Sequence, residues 1–396
     1  MEHTTDYLII GAGMAADAAA KAIHAVDAPA SIAMIGDEAQ PPYQRPPLSK
    51  ALWKDDNKPA DIDLGTAASG AHLELGRRVE SLDPAAHIAR DDHGDTWHYR
   101  RALLATGGTP RRLDFDGGER MIDFRTLDDY QALRRYAVAG AAVAVIGGGF
   151  IGSELAASLS GVGCKVSMFF PGAAIGSGRY PDGLASFLND YYREHGVIVD
   201  AGVEVTGGKA LDEGVELSLS DGRTLRFDVV VAGLGVTPNV ALAEEAGLKV
   251  DNGVVVDAQL RSSDGDIWAA GDIANFHSVA LDQRMRVEHE DAAVSMGRHA
   301  GRAMAGQATD YVTQPMFYSD LFDLGYEAVG KLDTRLQVVE DWTTPHREGV
   351  VYYLDAGRVR GVLLWNVWDQ VDAARELLAQ PGPFDAASLH GRLPKA

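Results

Sequence analysis

The chain is almost without cysteine. Cys164, in GVGCKV, is the one thiol among 396 residues. A disulfide framework, a redox-active CxxC pair and a cysteine-rich metal centre are therefore excluded within one chain. Cys164 opens an apolar run, where cysteine usually serves as a small buried hydrophobe. Long apolar runs are missing as well: none approaches the roughly 20 residues of a membrane span. Positive charge is scarce. Lysine and arginine total 36 against 57 acids, a formal net charge of −21. That balance argues against nucleic acid or an anionic membrane as a partner, since both need a positive surface. Paired arginines occur at 77–78, 100–101, 111–112 and 134–135. They read as solvated faces, with a local basic patch as the alternative. The chain runs almost directly into its first strand, so neither a signal peptide nor an Arg-rich presequence is expected, and the expected location is cytoplasmic.

What is present begins with glycine. Tyr7–Ile10 is a short apolar run, followed at once by GAGMAA (11–16) and an alanine-rich stretch to Ala25. The pattern predicts strand, tight turn, helix. Gly11 permits the turn, Gly13 lets backbone approach a pyrophosphate, and Ala16 stands where a small residue packs helix on strand. The helix N-terminus then offers free N–H groups and a positive dipole end to a phosphate. A second apolar run, 31–35, leads to Gly36-Asp37-Glu38. Asp37 stands where an acid can bind the hydroxyls of an adenosine ribose. A plain βαβ unit with a glycine turn is the alternative.

The pattern recurs from Val143: strand 143–146, GGGFIG at 147–152, helix to about Leu159, strand 165–170. Gly147, Gly149 and Gly152 complete a full GxGxxG, with Phe150 and Ile151 between them. Two such units mean two nucleotide sites. Glu154, near the first turn of the second helix, suits the dipole or reaches a reaction centre. The second unit has no ribose acid: its second strand ends Phe170-Pro171-Gly172, and Arg179 comes next in GSGR. Loss of the acid weakens selection for NADH, and an arginine could meet a 2′-phosphate. The balance leans to NADH.

Between the units, PPYQRPPLSK (41–50) is stiffened by four prolines and holds Arg45 and Lys50 in fixed places. A short helix is expected from Leu48. A β meander is predicted at Leu73–Val79, His87–Asp91 and Trp97–Leu103, running into ATGGTPR, where Thr106-Gly107 suits close backbone approach. Beyond the second unit stand a helix near 182–195, a hairpin, the strand 229–232 and GLGVTPN, which opens on Gly233. WAAGDIA (268–274) predicts strand, Gly-Asp, helix start, with Asp272 as helix N-cap or as a partner for polyol hydroxyls. From Val312 come strands 316–322, 326–331, 335–341, 349–355 and 358–365, then a helix 367–378. Trp365 and Trp368 read as core or interface aromatics. The fold class is α/β: two Rossmann-like dinucleotide-binding domains plus a C-terminal α+β interface domain. The expected boundaries are 1–112 with 240–311, 113–239, and 312–396.

GAGMAA, ATGGTPR, GGGFIGSE and WAAGDIA together resemble the two-dinucleotide-domain flavoprotein reductases. The missing cysteine pair excludes the disulfide-reductase members. PYQRPPLSKALW, RVEHEDAAVSMGRHAG and MFYSDLFDLGYEAVG resemble the apoptosis-inducing factor family and its bacterial relatives, the ferredoxin, rubredoxin and putidaredoxin reductases. GYEAVG favours the apoptosis-inducing factor branch. The resemblance covers nearly the whole chain. It implies FAD bound through Gly11, Gly13, Asp37, Arg45, Lys50, Thr106, Gly107, Arg111 and Asp272, and NADH or NADPH cradled by Gly147, Gly149, Gly152 and Gly233. It implies a Lys50–Glu154 ion pair beside the flavin N5, Glu288 and His289 over the isoalloxazine, and Tyr318 where the family has tryptophan. It makes Glu327 the nicotinamide-side acid. His289 is expected to touch flavin or nicotinamide rather than a metal. The long C-terminal insertion of the animal proteins is absent, which removes the basis for a death function.

The resemblance implies three functions. The first is an FAD-dependent NAD(P)H oxidoreductase passing electrons to a small acceptor or a small redox protein. The second is a ferredoxin or rubredoxin reductase of an oxygenase system, whose acidic partner would need the arginine pairs on one face. The third is an NADH-responsive redox sensor or assembly protein. A homodimer through the C-terminal domain is compatible with each.

Overall fold

Two βαβ turns of chain set the architecture in a computed structural model that describes residues 1–54 and 56–393. The chain divides into two compact units: residues 1–45, 60–109 and 237–315, and residues 46–59, 110–236 and 316–396.

In the first unit, β1 (Glu2–Ile10), α1 (Met14–Val26) and β2 (Ile32–Gly36) form the opening βαβ. β1 runs parallel to β2 on one side and to Thr96–Leu104 on the other. Every residue of β2 is buried, as a parallel strand covered on both faces requires. All the alanines of α1 but Ala25 are buried too, and the helix Glu290–Met304 packs on them. Gly297 makes that close approach possible, since a Cβ there would lie 2.2 Å from the Ala15 carbonyl oxygen.

Two expectations fail here. The strand predicted over Leu73–Val79 is two strands, separated by a turn with Gly76 at φ 66°. His72–Leu75 joins β2 in parallel, while Val79–Asp83 pairs antiparallel with Ile88–Asp91. WAAGDIA does place a strand, Ile267–Ala269, beside Thr96–Leu104. No α-helix succeeds it. Gly271, at φ 75°, lies outside right-handed helical space. A single 3₁₀ turn leads instead into the strand Ala274–Ser278.

In the second unit, β3 (Ala142–Ile146), α2 (Phe150–Gly161) and β4 (Lys165–Phe170) repeat the motif. Their parallel sheet runs Ile198–Ala201, β4, β3, Val229–Ala232, Met121–Asp123. The same unit holds a five-stranded antiparallel sheet built from Met316–Leu321, Leu324–Gly330, Arg358–Trp365, Glu348–Asp355 and Gln337–Thr344. The helix expected at 367–378 spans Val371–Ala379, starting later than expected, and a short helix, Ala386–Leu389, follows it. Asn366 and Asp369 hold φ of 49° and 60°, which bars a right-handed helix from starting sooner. Pro46–Ser49 and Ala51–Trp53 form two 3₁₀ turns, the tight alternative left open where proline removes an α-helical donor.

Candidate functional site

Matched hydrogen bonds align the two glycine loops. The Gly11 N–H donates to Ile35 O at 2.7 Å, and the Gly147 N–H to Phe169 O at 2.9 Å. The Ala105 N–H donates to Ile10 O and the Gly233 N–H to Ile146 O, each at 2.8 Å. Gly11 therefore corresponds to Gly147, Gly13 to Gly149, Ala16 to Gly152 and Ala105 to Gly233. Gly11 and Gly147 sit at φ 114° and 119°. A Cβ on either would overlap the Ala105 or Gly233 carbonyl, at 2.2 and 2.5 Å. Ahead of Gly13 an added Cβ would meet nothing within 4 Å, and ahead of Gly149 only Arg179 Nη2, at 3.7 Å. Both glycines cap their helices. Each loop is thus an open cradle at a helix N-terminus, the shape and polarity a diphosphate needs. Ala16 is fully buried behind the first loop, and Phe150 and Ile151 open α2.

Around the first cradle, Asp37 stands exposed at the end of β2. Its neighbour Glu38 is bound by Arg45 Nη2 and by the Tyr43 hydroxyl. Arg45 Nη1 also donates to the Tyr43 oxygen at 2.9 Å. Burial opposes the charge on Arg45, but Tyr43, Glu38 and Asp272 outweigh it and hold the guanidinium above its ordinary pKa. Thr106 and Gly107 are fixed by Asn239: Thr106 Oγ1 donates to Asn239 O at 2.9 Å, and the Asn239 N–H to Gly107 O at 3.0 Å. Glu288 is tied to Arg286 at 2.8 Å, and His289 is the half-buried N-cap of the helix Glu290–Met304. Arg111 falls in the second unit; it is exposed, its backbone N–H donating to Gly235 O at 2.9 Å.

In the second unit Glu154 is the centre of a buried constellation. Ser49 Oγ donates to its Oε2, Ser319 Oγ to its Oε1 at 2.7 Å, and Lys50 Nζ to the same Oε1 at 3.1 Å. The side chains of Lys50 and Glu154 are 11% and 6% exposed, so the expected ion pair forms and is a buried one. Lys50 Nζ also lies 4.3 Å from the centre of the Tyr318 ring, a cation–π contact. Tyr326 stacks on Trp365 at 5.6 Å and meets Tyr180 edge-on at 5.8 Å. Burial raises the hydroxyl pKa of both tyrosines. Glu327 stands opposite Tyr318 across two strands. Its Oε2 is buried with no hydrogen-bond partner, and burial, helped by Asp369, raises its carboxyl pKa. The Arg179 guanidinium covers the Phe150 ring at 4.1 Å.

Sequence reasoning passed over Ser49, Ser319, Glu38, Tyr43 and Asn239. The first two adjoin Lys50 and Tyr318 in PPLSK and YSDL, so their signal lay beside residues already singled out. The paired arginines do not make a bare basic patch. Arg77 meets Glu74, Asp91 and Asp95, Arg100 meets Asp6 and Asp27, and Arg112 meets Asp123. Cys164 is buried, and burial raises its thiol pKa, as befits an inert thiol. Among the described residues no group of three or more potential ligands could hold a metal, and no helix is long and apolar enough to cross a membrane.

Comparison with known proteins agrees with this geometry. The pyridine nucleotide-disulphide oxidoreductase family model matches residues 5–297. The C-terminal model of mitochondrion-associated apoptosis-inducing factor matches residues 300–348. The ferredoxin–NAD(+) reductase component of the anthranilate 1,2-dioxygenase system of Burkholderia cepacia is 34% identical, covering 97% of this chain and 96% of its own. Apoptosis-inducing factor 1 of Dictyostelium discoideum is 32% identical, over 94% of this chain and 78% of its own. Among solved structures, the covalent putidaredoxin reductase–putidaredoxin complex aligns with a TM-score of 0.89 at 29% identity, covering 95% of this chain and 93% of that one.

Proposed function

This chain belongs to the pyridine nucleotide-disulphide oxidoreductase family and is an FAD-dependent NAD(P)H oxidoreductase, and we propose that its electrons leave through a small redox protein of the ferredoxin type. The observation that carries the proposal is the full-length likeness to a dioxygenase-system ferredoxin–NAD(+) reductase component, in a chain whose one cysteine is buried. FAD, when bound, accepts a hydride at N5 and passes its electrons on.

The chain's own residues supply position and charge. Gly11, Gly13, Ala16, Asp37, Arg45, Thr106, Gly107, Arg111 and Asp272 are assigned to FAD. Gly147, Gly149, Phe150, Ile151, Gly152, Gly233, Arg179 and Glu327 are assigned to the nicotinamide nucleotide. Lys50, Glu154, Glu288, His289 and Tyr318 are assigned to the reacting rings. Lys50 is the cation of this set. Glu154, fixed by two serine hydroxyls, holds the ammonium stationary in a water-poor setting, where its field is stronger than in bulk. Hydride transfer depends on alignment of the two rings, so this fixed positioning bears on rate. The proposed domain assignment is FAD on 1–112 with 240–311, nucleotide on 113–239, and an interface module on 312–396, which a homodimer would use. Its proposed location is the cytoplasm.

The test is reduction of cytochrome c by NADH with and without an added [2Fe–2S] ferredoxin. Strict dependence on the ferredoxin supports the proposal, and equal rates without it refute it. Similarity to apoptosis-inducing factor favours a second reading, an NADH-responsive assembly protein. Anaerobic NADH would then leave a persistent long-wavelength charge-transfer band and change the oligomeric state.

A further inference from the structure

The alignment of the two glycine loops extends past the ends of their second strands. Ile35 corresponds to Phe169, because each accepts from the first glycine of its loop. Asp37 therefore corresponds to Pro171 and Glu38 to Gly172. Where the first unit has two consecutive acids, the second has none. Sterics do not explain this. An added Cβ on Gly172 would find Ser177 at 3.6 Å, an ordinary contact, and the residue is outside the left-handed region. A side chain could start there without a clash, and the chain has none. Ser177 is occupied: its hydroxyl accepts from the Ala174 N–H at 2.8 Å and donates to the Ala174 carbonyl at 2.7 Å.

Arg179 is placed elsewhere. Its guanidinium rests on the Phe150 ring, and its Nη2 lies 3.7 Å from where a Gly149 Cβ would stand. That is the first turn of α2, over the cradle, and not the end of β4. The Tyr353 hydroxyl donates to the Arg179 carbonyl at 2.6 Å and pins the loop there. An arginine at this point meets the diphosphate, which NADH and NADPH share. At the two positions that match Asp37 and Glu38 no acid repels a 2′-phosphate or binds a 2′-hydroxyl, the two devices by which dinucleotide sites discriminate.

We infer that this protein accepts NADH and NADPH with little preference, Arg179 gripping the diphosphate common to both and the Gly172 position leaving the 2′ substituent unread. This gives Arg179 a different role from the 2′-phosphate contact that its place in the sequence allowed, and it rests on the oxidoreductase function given above. The test uses the FAD-loaded protein. Reduction by each nucleotide is monitored by anaerobic stopped flow, and binding of ADP-ribose and 2′-phospho-ADP-ribose by calorimetry. The wild type should use both nucleotides with kcat/KM within about tenfold of each other. Arg179→Ala should weaken both probes equally, by roughly tenfold or more. Gly172→Glu should weaken 2′-phospho-ADP-ribose alone. A wild type selective by more than about a hundredfold, or an Arg179→Ala loss confined to the 2′-phospho probe, overturns the inference. Reduction by neither nucleotide overturns the oxidoreductase reading instead, while calorimetry with the two probes still decides this one.

Discussion

The two βαβ units share a backbone and differ in their carboxylates. Each helix buries one acid near its first turn. In α1 it is Asp17, which accepts from Thr66 Oγ1 at 2.6 Å and pairs with Lys21 at 2.9 Å. That Lys21 also donates to the Leu64 carbonyl, so the cluster staples a loop to the helix. In α2 the acid is Glu154, one residue later in the repeat. Its lysine lies on an aromatic ring and not on a loop carbonyl. The same solution to burying a charge, two kinds of donor on one carboxylate, is structural in one unit and is assigned to chemistry in the other. Backbone geometry makes a phosphate cradle twice, and side chains decide what each cradle is for.

Substitutions in matched positions test that contrast. Gly11→Val and Gly147→Val should have the largest effects, because each drives a side chain into a carbonyl oxygen. The first should yield colourless protein, and the second a yellow protein that NAD(P)H does not bleach, read from flavin absorbance. Loss of colour in both would mean that the units do not divide the cofactors. Next, Lys50→Ala leaves a buried carboxylate short of its cation, a cost of about 3–5 kcal/mol. It should slow flavin reduction in stopped flow, whereas Asp17→Asn should lower Tm and spare the reduction rate. Third, Asp37→Asn should loosen FAD by about 1 kcal/mol, near fivefold, with nucleotide binding unaltered; fluorescence titration of the apoprotein measures it.

The smallest effect concerns Glu327. Its carboxyl is raised from the ordinary 4.5 by burial, so the folded protein favours the neutral form. That stability is complete below the unfolded value and is lost as pH rises through the folded one. Glu327→Gln should therefore stabilise the protein above neutrality, by no more than about 1 kcal/mol after solvent screening, and change nothing near pH 4; thermal melts at the two pH values measure it. A variant less stable than wild type at pH 8 would show the ionised carboxylate to be paired.

The legible features were those with local causes. GAGMAA and GGGFIG fix their own turns, so both cradles and β4 at Lys165–Phe170 lay where the pattern put them. The Lys50–Glu154 pair came from family resemblance, since nothing local links residues 104 positions apart. Asn239 was invisible for the same reason: its hydrogen bonds to Thr106 and Gly107 span more than 130 positions. Errors gathered where a residue at positive φ overrode propensity, as at Gly76, Gly271 and Asn366.

Sequence alone determined that this chain folds two nucleotide cradles without a disulfide, because glycine spacing and apolar runs act over a few residues and one cysteine cannot pair. Tertiary structure decided which hydroxyls hold Glu154 and where Arg179 rests. Those depend on donors brought together across long separations, and no short-range rule of spacing encodes a distance of about 3 Å between them.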